Sequence, residues 1–136
     1  MTGNLKATPG VWIGRALSAL FVLFMLFASV LPKFAFPQAS EGYIRSLGWT
    51  LGDLPLIGGV ELVGTLLYVW KRTSVLGAVL LTALLGGAVA THVRIDSPLF
   101  SHTLFGVYLG LILWGGLWLR DPALRRLLPL RLTPEI

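Results

Sequence analysis

Four long apolar runs, broken only by isolated small or polar residues, fill most of this 136-residue chain. They cover roughly 12–31, 54–70, 73–93 and 99–119. A helix rises about 1.5 Å per residue, so ~20 apolar residues cross a hydrocarbon core about 30 Å thick. The pattern predicts four transmembrane helices running up and down, an all-α antiparallel four-helix bundle that makes 1–136 a single integral membrane domain. So little chain lies outside the runs that no separate soluble domain is expected. The first run has a longer apolar core than a cleaved signal sequence and lacks a small-x-small cleavage site, so it reads as a retained span.

The connections are unequal. Only Lys71 and Arg72 separate the second and third runs, which demands a tight antiparallel hairpin. The loop at 32–53 contains Ser40-Glu41-Gly42-Tyr43-Ile44-Arg45-Ser46-Leu47-Gly48. There Ser40 is placed to cap a short helix, Tyr43, Ile44 and Leu47 share one face, and Gly48 is placed to end it. This segment is expected to lie as an interfacial helix on the outer surface. After the fourth run, Asp121-Pro122 is a cap-then-proline start, and the leucines and arginines of 123–128 suit an inner interfacial segment.

Charge adds an orientation. With alternating spans, Lys6, Arg15, Lys71, Arg72, Arg120, Arg125, Arg126 and Arg131 fall on one side, and only Lys33, Arg45 and Arg94 on the other. The positive-inside rule then puts both termini in the cytoplasm, in a cytoplasmic (inner) membrane, with Trp12, Trp70 and Trp118 at the inner interface. The net charge of +5 carries no aromatic-studded basic stripe, so the lipid bilayer is the expected partner and nucleic acid is not. The chain has no cysteine, which excludes thiol–disulfide chemistry and any iron–sulfur cluster held by this chain. Two histidines without ligand spacing give no metal motif, and no covalently bound cofactor is expected.

The informative polar residue is Glu61, inside the second run. Counting out from the hairpin places it level with Thr82–Leu84, and Asp53 level with His92. Glu61 then lies ~9 Å below the outer boundary, a depth reached near Ser29 on the first span and near Tyr108 on the fourth. Arg15, Ser18, Ser29 and Lys33 form a seam along one face of the first span, and Glu61, Thr65 and Tyr68 share a face of the second. An ionised carboxylate in lipid is costly, so Glu61 is expected to face the interior and either pair or stay protonated. It reads either as a hydrogen-bonded tie between helices or as part of a ligand, proton or quinone site. His92 reads as an interfacial residue paired with Asp53 or as a proton-handling group. His102 reads as interfacial, and Lys33 as snorkelling outward or reaching down to Glu61. Glu61 and His92 are the catalytic candidates; Lys33, Glu61, Thr82, His92 and Tyr108 are the ligand-binding candidates. Gly106 with Gly110, and Gly86 with Ala90, are small-xxx-small pairs that suit packing inside the bundle, with a homo-oligomer through Gly106 and Gly110 as their other use.

Several stretches together resemble the DoxX-like family of small four-helix bacterial membrane proteins. They are Arg15, Leu31-Pro32-Lys33-Phe34, Gly59-Val60-Glu61-Leu62-Val63-Gly64, Leu76-Gly77-Ala78, Gly86-Gly87-Ala88-Val89-Ala90-Thr91-His92, and Trp114-Gly115-Gly116-Leu117-Trp118-Leu119-Arg120-Asp121. The resemblance implies a four-helix bundle associated with membrane redox systems, and it marks Lys33, Glu61 and His92 as the site to carry over. Thiol chemistry known among related membrane proteins does not transfer to a cysteine-free chain. The leading expectation is an accessory subunit of a membrane redox system, with a redox partner protein and an intramembrane site for a quinone or small apolar ligand around Glu61. The alternatives are a lipid- or terpenoid-modifying enzyme using Glu61 and His92 as an acid–base pair, and a non-catalytic membrane assembly factor. Whether the chain is itself an enzyme is open at this point.

Overall fold

A computed structural model describes residues 7–130, and every regular element among them is helical. Four helices are long and apolar enough to cross a membrane: Pro9–Ala35, Leu51–Val69, Ser74–Arg94 and Leu99–Arg120. They form the four-helix bundle expected from the hydrophobic pattern. The first span packs chiefly on the fourth, the fourth on the third and the third on the second. The second closes the ring against the loop-side half of the first. The charge assignments at Lys6 and Arg131 lie outside the described residues.

The polarity is that of a protein solvated by lipid. Leu20, Phe27, Leu56, Leu66, Val79 and Leu111 are exposed on helix faces, whereas Ser18, Glu61, Thr65, Ser74 and Thr103 are buried. In water such an apolar exterior is a large liability; in hydrocarbon it is the solvated face. Phe21, Met25, Tyr68, Leu81, Leu113 and Leu117 form the centre of the core. Among the described residues, no buried side-chain nitrogen or oxygen lacks a hydrogen-bond partner, as a medium without water requires.

The first helix is longer than its apolar run at both ends. It begins at Pro9 because Thr8 Oγ1 caps the N–H of Val11 at 3.4 Å and proline suits the first helical position. It also passes through Pro32, where the sequence reading ends it. The turn at Met25–Val30 is of π type, and the N–H of Leu31 donates to Leu26 O, five residues back instead of four. Proline has no N–H and its ring crowds the carbonyl four residues earlier; a widened turn just before it opens the ladder without ending the helix.

The loop carries a short helix, Glu41–Ser46, whose Ile44 is buried, as is the following Leu47. Ser40 makes no side-chain cap; a 3₁₀ turn at Pro37–Ser40 leads directly into the helix instead. Gly48 ends it at φ 83°, a left-handed conformation that favours glycine. Arg94 Nη2 donates to Leu47 O at 2.9 Å and so fastens this loop helix to the end of the third span.

Close approach between spans depends on small residues. A Cβ on Gly77 would strike the Tyr68 backbone nitrogen and the Gly64 carbonyl, so the second and third spans touch backbone to backbone. Gly14 lies against Gly116 in the same way between the first and fourth spans. Of the expected pairs, Gly106 is used inside the bundle, where a Cβ would sit 3.0 Å from Leu85 O, while Gly110 and Gly86 meet nothing within 4 Å. After the fourth span comes a short helix, Pro122–Leu127, capped by Asp121 Oδ1, which accepts from the N–H groups of Ala123 and Leu124.

Candidate functional site

Glu61 lies on the buried face of the second span, in line with Thr65 and Tyr68. The first span meets that face with its own polar seam. Lys33 Nζ donates to Glu61 Oε2 at 2.9 Å and to Oε1 at 3.1 Å, and Ser29 Oγ donates to Oε1 at 3.0 Å. Lys33 also donates to Ser29 O and Ser29 Oγ, each at 2.9 Å. The side chains of Lys33 and Glu61 are 16% and 8% exposed, so this is an ion pair largely shielded from the surroundings. Of the two courses open to Lys33, it takes the one toward Glu61. The widened turn at Met25–Val30 contains Ser29 and ends three residues before Lys33, so the irregular helix geometry sits where the two spans exchange charge.

Beside the pair lies a cavity of about 510 Å³, bounded by all four spans and by the loop helix. Ser29, Lys33 and Glu61 form one polar edge. His92, His102 and Tyr43 form another at the loop end, and apolar side chains such as Met25, Leu84 and Phe105 lie among the lining. His92 is held on both ring nitrogens: Nδ1 is 3.0 Å from Ser97 Oγ, and Nε2 is 3.4 Å from the Tyr43 hydroxyl. Its ring centroid is 5.9 Å from that of His102, whose own Nδ1 lies 2.7 Å from Ser101 Oγ.

Three of the five ligand-binding candidates, Lys33, Glu61 and His92, line this cavity, and two do not. Thr82 Oγ1 donates back to Ala78 O at 2.7 Å and accepts from Trp114 Nε1 at 2.8 Å, on a face turned away from Glu61. The Tyr108 hydroxyl donates to Phe100 O at 3.0 Å, near the loop end. Matching depth placed both at plausible levels, but depth does not decide which way a helix face points. The expected Asp53–His92 pair is also replaced. Asp53 Oδ2 accepts from the Thr50 N–H at 2.8 Å and from the Thr50 hydroxyl at 2.9 Å, closing a capping box at the start of the second span. Tyr43 and Ser97 are the partners the sequence reading missed. Tyr43 was assigned only to the apolar face of a surface helix, and the Thr50-x-x-Asp53 spacing was the signal that Asp53 was already engaged.

A ring of lipid-facing helices around a buried, hydrogen-bonded ion pair defines a four-span integral membrane protein with a polar site in its interior. The chain belongs to the DoxX-like family, whose model matches residues 16–116. The matched stretch contains Ser29, Lys33, Glu61 and His92. No curated protein and no solved structure matches the chain.

Proposed function

We propose that the protein is an accessory subunit of a membrane redox system, and that it holds a quinone or quinol headgroup in the cavity between Glu61 and His92. The observation that carries this reading is a pocket of ligand size, about 510 Å³, with an ion pair on one edge, an imidazole on another and apolar walls. A quinone is a flat apolar ring with two opposed carbonyl acceptors. The Lys33 ammonium is a donor for one carbonyl, and the Glu61 carboxylate is an acceptor for the hydroxyl of the reduced form. His92, joined to Tyr43 and Ser97, supplies a donor or acceptor at the loop end and a group able to carry protons between ligand and water. Electrons come from a partner in this reading; without cysteine this chain has no redox thiol and no cysteine-held iron–sulfur cluster of its own. On the positive-inside reading both termini are cytoplasmic, and the loop end with His92 faces the far side of an inner membrane.

The test is a titration of the purified chain in lipid nanodiscs with a short-tailed quinone, read by quenching of Trp49, which lines the cavity. Saturable quenching is expected. His92→Ala should weaken it by about tenfold, the loss of one hydrogen bond of ~1.5 kcal/mol. A Lys33→Met/Glu61→Gln double variant, neutral at both positions, should fold and bind still more weakly. Absence of saturable quenching, or unchanged affinity in both variants, overturns the reading.

A further inference from the structure

The opposite end of the bundle, where the first span begins and the fourth ends, contains a second cavity of about 300 Å³ that plays no part in the site above. It exists because the first span leans on the fourth here, while its backbone comes close to the second span in its loop-side half, leaving the Tyr68 side chain to reach across to Ser18. Arg15 and Arg120 line it together with Ser18, Val22, Tyr68 and Val69, and no carboxylate does. Among the described residues, neither arginine is in an ion pair. Two guanidiniums therefore share one cleft with no counter-charge among the described residues.

Arg120 is held rigidly. Its Nε donates to Ser18 Oγ at 3.0 Å, its Nη2 donates to Tyr68 O at 3.3 Å, and its Cζ lies 5.1 Å from the Tyr68 ring centroid. Tyr68 is fixed in turn, donating to Leu113 O at 2.7 Å, with its hydroxyl 2.9 Å from Ser18 Oγ. A guanidinium has five N–H donors, and these contacts engage two of them, so a pre-positioned fork keeps donors for an oxyanion. Arg15 Cζ stands 4.9 Å from the ring of Trp12, an exposed indole in the first turn of the first span, the level at which aromatic side chains meet lipid headgroups. From the two arginines the cleft continues along Ala19 and Val22 of the first span, four and seven residues further into the bilayer than Arg15, while Val69, the last residue of the second span, walls it at the level of Arg120.

We propose that this cleft binds an anionic phospholipid, its phosphate held by Arg120 and Arg15 and an acyl chain lying along Ala19 and Val22. The charge favours a lipid with net negative charge, since a zwitterionic headgroup brings a cation of its own into a site that already holds two. The apolar continuation favours a lipid over a free phosphate ion, which has nothing to place against Ala19 and Val22. Forked guanidiniums suit the tetrahedral oxygens of a phosphate through paired charge-assisted hydrogen bonds.

Native mass spectrometry of the full chain, released in mild detergent from vesicles of equal parts phosphatidylglycerol and phosphatidylcholine, tests the proposal. The expected result is preferential retention of phosphatidylglycerol. Arg15→Gln should lower that retention by about fivefold, the effect of one basic residue at an anionic surface. Arg120→Gln should lower it further; because Arg120 also joins three spans, Arg15→Gln is the deciding variant should Arg120→Gln fail to fold. Equal retention of the two lipids, or an Arg15→Gln variant that retains phosphatidylglycerol as the parent does, overturns the proposal. Displacement of phosphatidylglycerol by millimolar inorganic phosphate also overturns it, since that marks a free-anion site. Quinone quenching at the other cavity should be unchanged in Arg15→Gln, so the two sites fail or succeed separately.

Discussion

An ammonium and a carboxylate 2.9 Å apart inside a lipid-solvated bundle take the place of each other's water. The energetic consequence is asymmetric: removing one partner strands the other charge, whereas removing both leaves a neutral, packable interior. Glu61→Gln alone and Lys33→Met alone are each expected to destabilise the bundle by about 3–5 kcal/mol. The double variant should recover most of that loss, giving a coupling well above the ~0.2–1 kcal/mol of an exposed pair. Reversible unfolding in mixed micelles measures the cycle, and two silent single variants would place the pair in contact with water. Glu61 was legible as a sequence feature because a lone carboxyl within apolar residues is costly unless it is used. Lys33 and Ser29 were legible through the seam they share with Arg15. Thr82 and Tyr108 stand outside the cavity lining: the Thr82 hydroxyl bonds back to Ala78 O four residues earlier, as helix hydroxyls do, and the Tyr108 hydroxyl is engaged by Phe100 O.

Helix boundaries and helix phase are a separate matter from residue chemistry. Apolar runs reveal that a span exists, since its length is set by the bilayer, but they are silent about irregularities inside it. Pro32 reads as a stop, and in most helices it is one. Here Lys33 needs one more turn of helix to stand over Glu61, and the π-type turn at Met25–Val30 lets the chain continue. Replacing Pro32 by alanine restores an N–H and removes the ring that opens the ladder, which favours ordinary α geometry through this stretch. Narrowing that turn changes the direction in which Ser29 and Lys33 project. In a Pro32→Ala background the Lys33–Glu61 coupling is expected to fall to ~1 kcal/mol or less, the value of a poorly placed pair, while the bundle remains helical by circular dichroism. An unchanged coupling would mean that the widened turn has no part in positioning the lysine. The same element-level silence hid the cleft at the terminal end, because the lean of the first span toward the fourth is decided by Gly14 meeting Gly116 and cannot be read from the hydropathy of either run.

At the scale of the whole molecule the two cavities lie at opposite ends of one bundle, so their roles depend on which end faces the cytoplasm. Among the described residues, the basic side chains concentrate at the end where the first span begins and the fourth ends, at Arg15, Lys71, Arg72, Arg120, Arg125 and Arg126, against Lys33, Arg45 and Arg94 toward the loop. The positive-inside rule predicts the arginine cleft in the cytoplasmic leaflet and His92 toward the opposite side, an orientation open to direct test. A chain without cysteine makes this directly measurable, since every introduced thiol is the sole target. In intact cells an impermeant maleimide is expected to label a Gln38→Cys variant and to spare an Arg126→Cys variant until the membrane is permeabilised. The reverse pattern would turn the bundle over. His92 would then take its protons from the cytoplasm, and the arginine cleft would have to find its anionic lipid in the other leaflet.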